Sequence, residues 1–311
     1  MTISQPTPEI IALAGDILLD GGVVVIPTET VYGLACNAMD ASAVRRVFEI
    51  KGRPAENPLI IHLSDAEQLD DVAADVPELA RKLAARYWPG PLTMVLNRAD
   101  DVPSVTTGGL DTVAVRVPAH PVAREIIEAA GCPVAAPSAN VFMALSPTQV
   151  EDVDPEVIID VDLVIDGGRC EYGLESTVID MTQDPPRILR PGAVSRADIQ
   201  TLVGRPLGHM PPSEVRKAPG MYRRHYAPNS PVRLVDRPLQ SDECGLTFAP
   251  STNALQVKMP KEPRAYGAVL YGALKQLDLK KPKAILVEEP PETPEWEAVW
   301  DRLRKASASL L

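Results

Sequence analysis

Short branched-apolar runs alternate with helix-length segments over the first two thirds of this chain, without a strict strand-helix-strand repeat. That alternation limits the possible folds more than any single motif does. Residues 23–26 are three valines and an isoleucine, closed off by Gly21-Gly22 and Pro27, and so short a run between breakers reads as a buried strand. Further strands are predicted at 58–63, 91–96, 112–117, 134–136, 163–165, 176–180 and 187–189. Apolar spacing predicts helices over 8–20, 40–50 with Asp40 as its cap, 65–75, 77–87 and 121–130. Two more are expected to start at Ser146-Pro-Thr148 and at Ser195. With 45% hydrophobic residues in 311, the chain can fill a core. The pattern fits a mixed-sheet α/β or α+β domain over 1–205.

Between 206 and 231 the periodicity stops. Prolines 206, 211, 212, 219, 228 and 231 mark a linker, yet it carries Met221-Tyr-Arg-Arg-His-Tyr226, more chemistry than a passive connection needs. Strands at 232–235, 245–249 and 284–287 and helices at 264–279 and 294–308 then outline a small α/β domain over 232–311.

Several classes of function are disfavoured. A net charge of −11 with no strongly basic segment argues against tight, non-specific nucleic-acid binding. Cys36, Cys132, Cys170 and Cys244 form no Cys-x-x-Cys pair and read as free thiols in a reducing compartment. His62, His120, His209 and His225 lack metal-ligand spacing, and no metal site is predicted. Neither a Walker loop nor a Gly-x-Gly-x-x-Gly turn is present. The N-terminal residues lack the basic and apolar regions of a signal peptide, and no apolar stretch is long enough to span a membrane, so a cytoplasmic protein is expected.

What stands out is polar chemistry at strand ends. Lys51 and Arg53 flank a glycine ahead of Pro54, Asn57 and Pro58, a cation pair on a rigid loop suited to a carboxylate or phosphate. Ser138 and Asn140 follow a strand, and Arg190 ends another. Arg116 lies within an apolar strand and requires an anionic partner, either a ligand or a structural Asp or Glu. His62, also in an apolar strand, reads first as a satisfied core histidine. Asp166-Gly-Gly168 is first a tight turn.

Each motif is weak alone, but their order is not. The series PTETVYGL (27–34), KGRPAENPLIIHL (51–63), YWPGPLT (87–93), TVAVRVPAHP (112–121), APSAN (136–140), SPT (146–148), GLESTVID (173–180), LRPG (189–192) and APGMYRRHYAP (218–228) resembles the two-domain form of the YrdC-like threonylcarbamoyl-AMP synthases. The likeness is dense over 8–228 and looser to the end, where AYG (265–267) and ILVEEP (285–290) resemble the family's small domain. It implies a twisted mixed sheet with a concave, positively lined face, a linker over that face, and a Rossmann-like C-terminal α/β domain. It implies synthesis of threonylcarbamoyl-AMP and pyrophosphate from L-threonine, bicarbonate and ATP, with Mg2+ accompanying ATP. The product would pass to the machinery that makes threonylcarbamoyladenosine next to the anticodon of tRNA. Carried onto matching positions, Thr30, Tyr32, His62, Arg116 and Ser176 would serve threonine. Arg53, Asn57, Thr112, Ser138, Asn140, Ser146, Arg190, His225 and Tyr226 would serve ATP. Lys51 and Arg53 would be the catalytic cations.

Two departures from the family pattern stand in this sequence. Phe142-Met143 replaces a usual Ser-Gly, which restricts φ and adds apolar bulk. Tyr222-Arg-Arg-His-Tyr226 replaces Lys-Tyr-Arg-His-Tyr, shifting the upstream aromatic by one place. Two other readings stay open: a double-stranded-RNA-binding maturation factor, and a carbamoyl-phosphate-dependent carbamoyl transferase.

Overall fold

A computed structural model describes residues 3–208, 222–250 and 253–308, so half of the 206–231 linker, from His209 to Met221, lies outside the described residues. The chain opens with strand β1 (Ile3–Ser4) and helix α1 (Pro8–Leu19), which Thr7 caps by accepting from Ile10 N–H while Pro8 takes the first turn. Next come β2 (Val24–Ile26), β3 (Gly33–Asn37) and α2 (Ala41–Lys51). Asp40 caps α2 through Ser42 and Ala43 N–H, and Gly52 ends it in the left-handed conformation. Then follow β4 (Ile60–His62), α3 (Leu69–Val72), β5 (Ala73–Ala74), α4 (Glu78–Tyr87), β6 (Leu92–Arg98), β7 (Thr112–Arg116), α5 (Pro121–Ala130) and β8 (Val134–Ala135). The large sheet is completed by β9 (Leu163–Ile165), after α6 (Pro155–Asp160), and by β10 (Thr177–Asp180) and β11 (Arg187–Arg190), before α7 (Arg196–Val203).

The strands lie in the order β1-β9-β2-β3-β8-β4-β7-β6-β10-β11, with β5 on β6, and mix parallel and antiparallel pairs. Alternation along β2 explains the layers. Val23 and Val25 face the large core with α2 and α4, while Val24 and Ile26 face the core formed with α1 and α5. Across β4, β7, β6, β10 and β11 the second face carries a smaller cluster of Ile60, Val95, Ala114, Val178 and Leu189. His62 and Arg116 stand two residues beyond Ile60 and Ala114, and therefore on that same face.

A second, wholly parallel sheet of β12 (Val232–Val235), β13 (Gly245–Thr247), β14 (Gln256–Lys258) and β15 (Ile285–Glu288), in the order β12-β15-β13-β14, carries α8 (Pro263–Asp278) and α9 (Glu297–Ser307). Its core is not self-contained: Val31, Leu145 and Leu174 from the first module and Tyr226 from the linker pack into it.

Two predicted helices differ. Over 65–75 the chain makes a 3-10 turn capped by Asp65, the short α3, and then β5 pairing with β6. No helix starts at Ser146; the chain makes only a 3-10 turn at Val150–Asp152. Ser146 instead donates its hydroxyl to the Glu175 carboxylate at 2.6 Å, which holds it in a loop.

Candidate active site

The open face of the sheet becomes a site because two buried strand ends and the loop after α2 bring three arginines into one small space. Thr28 shapes its rim. Its hydroxyl oxygen accepts from Thr30 and Val31 N–H and donates to Val31 C=O, a local turn that aims Thr30 inward. Arg116, at the end of β7, donates to Thr28 and Thr30 hydroxyls, to Glu29 Oε1 at 3.1 Å and to His62 Nε2 at 2.9 Å. The anionic partner that Arg116 required is thus Glu29, and Arg116 still lines the cavity. His62 sits in register with Arg116; Nε2 accepts from that guanidinium, so Nδ1 carries the proton and donates to Ile60 C=O. Burial and the adjacent Arg116 hold His62 well below its ordinary pKa, which keeps it neutral.

On the opposite wall, Arg190 donates to Ser176 C=O and Oγ, and Ser176 Oγ lies 2.7 Å from Thr93 Oγ1. Arg53, 7% exposed, folds back on its own loop and donates to the carbonyls of Asn57 and Pro58. Among the described residues no carboxylate lies within ion-pair distance of Arg53, and burial lowers its pKa to about 10. Both amide atoms of Asn57 are buried without hydrogen-bond partners beside it. The linker closes the space: His225 and Tyr226 are buried against it, and Tyr226 OH lies 3.4 Å from Arg190 Nη1. Burial pushes His225 down to about 3 and Tyr226 up to about 12. The cavity that remains is about 40 Å3, room for a water or so, whereas small-molecule sites span roughly 300–1,000 Å3.

Of the residues singled out in the sequence, Thr30, Arg53, His62, Arg116, Ser138, Ser176, Arg190, His225 and Tyr226 line this cavity together. The others stand behind it. Lys51 is buried under the Ser138–Asn140 loop and donates to both of those carbonyls, and burial together with Arg53 holds its pKa well below the ordinary lysine value. Asn140 folds the following turn through Val141 and Ala144 C=O. Tyr32 anchors the Asp166–Gly168 turn, donating to Gly168 C=O and accepting from Gly167 N–H. Thr112 begins β7 with its hydroxyl buried and unpartnered.

Sequence reasoning missed Glu175, which lines the cavity. It accepts from Ser146, from Tyr271 OH on α8 at 3.0 Å and from Arg302 Nε on α9 at 2.8 Å. Burial would raise its pKa, but Arg302, then Arg190 and the Ser146 hydrogen bond, outweigh burial and hold it at about 2. A signal was present: Arg302 shares its helix face with the buried Val299, Trp300, Leu303 and Ala306, where a cation demands an acid.

Two family models match the chain. One, for the Sua5–YciO–YrdC group and described as telomere recombination, covers residues 16–192; the other, the C-terminal domain of threonylcarbamoyl-AMP synthase, covers 194–308. A threonylcarbamoyl-AMP synthase of Pyrococcus abyssi is 41% identical over 96% of this chain and 94% of its own length. That of Bacillus subtilis is 36% identical over 98% and 94%. The crystal structure of P. abyssi Sua5 complexed with L-threonine superposes with a TM-score of 0.89 over 96% of this chain and 94% of that one. By sequence and by fold, the chain belongs to the Sua5–YciO–YrdC family, in the form that continues into a threonylcarbamoyl-AMP synthase C-terminal domain.

Proposed function

We propose that this chain is an L-threonylcarbamoyladenylate synthase of the cytoplasm, joining L-threonine, bicarbonate and ATP into threonylcarbamoyl-AMP and releasing pyrophosphate. The product would supply the enzymes that modify tRNA beside the anticodon. The observation that carries this reading is charge. Three buried arginines face one cavity, and the carboxylates beside it are already engaged, Glu29 by Arg116 and Glu175 by Arg302, which leaves Arg53 with carbonyl partners alone among the described residues. A buried cation without a carboxylate is costly, and an anionic substrate relieves that cost.

The site divides by its chemistry. At one end, Arg116 would take the threonine carboxylate, with Thr30, neutral His62 and Ser176 around it and Val31, Ile60 and Ala136 available to its methyl group. At the other, Arg53, Asn57, Arg190, Ser138 and Ser146 would hold the triphosphate and nucleoside. The threonine amine attacks the carbon of bicarbonate, water leaves, and a carbamate oxygen then attacks the α-phosphate and displaces pyrophosphate. No protein nucleophile is needed; the protein's work is orientation and stabilisation of developing charge. Lys51 would act through the Ser138–Asn140 loop that it holds. Among the described residues no cluster of three or more acidic, His or Cys side chains offers a metal cage. Magnesium would therefore fit as the companion of the triphosphate, neutralising its charge.

The test is pyrophosphate release by the purified full chain. Release should require threonine and bicarbonate together; release at an undiminished rate without threonine would overturn the reading.

A further inference from the structure

We propose that Glu29 is a specificity-determining residue of the threonine end: as the counter-charge of Arg116 it makes that end neutral in sum, so that the site selects an amino acid carrying both charges over a plain carboxylic acid. The inference rests on the function proposed above. Arg116 and Glu29 are 4% and 3% exposed and meet at 3.1 Å, and among the described residues neither has another ion-pair partner. His62 adds no charge. Arginine can only donate, so the 2.9 Å contact from Arg116 Nε requires a bare Nε2 on the imidazole, while Nδ1–H is turned to Ile60 C=O. Thr28 and Thr30, which accept from Nη2, are uncharged. One guanidinium and one carboxylate are therefore the whole charge of this set. The nucleotide half differs in kind, because Arg53 lies there with carbonyl partners and no carboxylate in ion-pair distance among the described residues. One half suits a polyanion and the other a ligand without net charge.

Stability does not account for Glu29. A buried ion pair adds little that apolar residues of the same volume would not, and Glu29 Oε2 is buried with no hydrogen-bond partner, which is a further cost. What the carboxylate does change is the charge that a ligand meets. Without it, Arg116 would stand alone in a dry wall and attract any carboxylate, with or without an amine. With it, a bare carboxylate leaves the buried set with a net negative charge. Threonine brings an ammonium with its carboxylate and leaves none. The amine is also the group that must attack bicarbonate, so this balance admits the molecules that can react.

The experiment is calorimetry on the full-length chain with a non-hydrolysable ATP analogue at saturation, comparing L-threonine with 3-hydroxybutyrate, the same skeleton without the amine. The native chain should prefer threonine by about tenfold or more. Glu29→Gln keeps an oxygen for Arg116 Nη1 but removes the charge. It should bind 3-hydroxybutyrate about tenfold more tightly than the native chain does, and the preference for threonine should largely vanish. Glu29→Asp, which keeps the charge, should retain that preference. The Kd of the ATP analogue alone should stay within about twofold in both variants. A purely structural role for Glu29 predicts otherwise: both acids weaken together and their ratio holds. That pattern, a parallel loss of the ATP analogue, or a native chain that binds 3-hydroxybutyrate as tightly as threonine would each overturn the proposal. If Glu29→Gln does not fold, Arg116→Gln carries the test, because it leaves Glu29 as the charge of the set. It should bind L-threonine amide, a net cation, more tightly than the native chain does, and no gain there would overturn the proposal. A native chain that binds neither threonine nor the ATP analogue would instead overturn the function on which it rests.

Discussion

At the scale of single residues, Arg53 and Met143 carry the sharpest consequences. Arg53 brings a full charge into a space where, among the described residues, its hydrogen-bond partners are the carbonyls of Asn57 and Pro58. A hydrogen bond to a charged group contributes roughly 1.5–3 kcal/mol. Arg53→Gln should therefore weaken ATP binding at least about tenfold, measured by calorimetry, with a smaller effect on threonine. Met143 occupies the position where the family pattern has glycine, and it adopts φ +70°, the left-handed region that a side chain resists. The backbone thus keeps the glycine geometry without the glycine. Met143→Gly should raise stability by up to about 1 kcal/mol in denaturant unfolding, while Met143→Val should lower it by at least as much.

At the scale of elements, the other half of that departure turns inward. Phe142 meets Tyr222 edge-on at 5.2 Å and His225 at 6.0 Å, and Ala227 N–H donates to Met143 C=O. The loop at 141–144 is thereby a clasp for residues 222–227, and the displaced linker tyrosine is one of the rings it grips. Phe142→Ser should speed backbone hydrogen exchange across 222–228 several-fold; unchanged exchange would show that the aromatic contacts do not hold the segment. Acid should loosen it too. Burial first, then Arg53, Lys305 and Lys51, depress His225 from 6.5 to about 3, against an opposing pull from Glu175. If opening restores the ordinary value, the closed state has its full stability above pH 6.5 and loses up to about 1.4 kcal/mol per unit as pH falls toward 3. Intrinsic-rate-corrected exchange of the segment should rise between pH 6.5 and 5 in the native chain, and should not in His225→Phe. The same elements mark what the sequence could and could not say. Strands such as Leu163–Ile165, with every residue buried, were legible as branched-apolar runs. Gly33–Asn37 was not, because its glycine, alanine and cysteine satisfy the sheet through backbone bonds to both neighbours and give no β-branched signal. Segment 65–75 kept helical spacing, but a capping box at Asp65 and Gln68 and the pairing of Ala73–Ala74 with β6 won locally. The cavity residues could be found one by one; Arg302 on α9 called for an acid, but nothing local marked Glu175, 127 residues away, as that acid.

At the scale of the whole molecule, the two modules meet closely. Gly173 has φ +64°, and a Cβ there would stand 2.6 Å from the backbone of Ala268 on α8. Gly173→Val should separate the modules: a single thermal transition in the native chain, expected because the second core borrows Val31, Leu145 and Leu174, should split in two, and calorimetry would read it directly. One transition at an unchanged temperature would mean that the seam tolerates the added bulk. Tyr226 belongs to that borrowed core as well as to the cavity wall. A loop free of such an anchor moves in nanoseconds to microseconds, but a cover whose aromatic ring is shared with a neighbouring module's interior lets go only when the module shifts, in microseconds to milliseconds. Admission of substrate and escape of product would then run on the small module's clock.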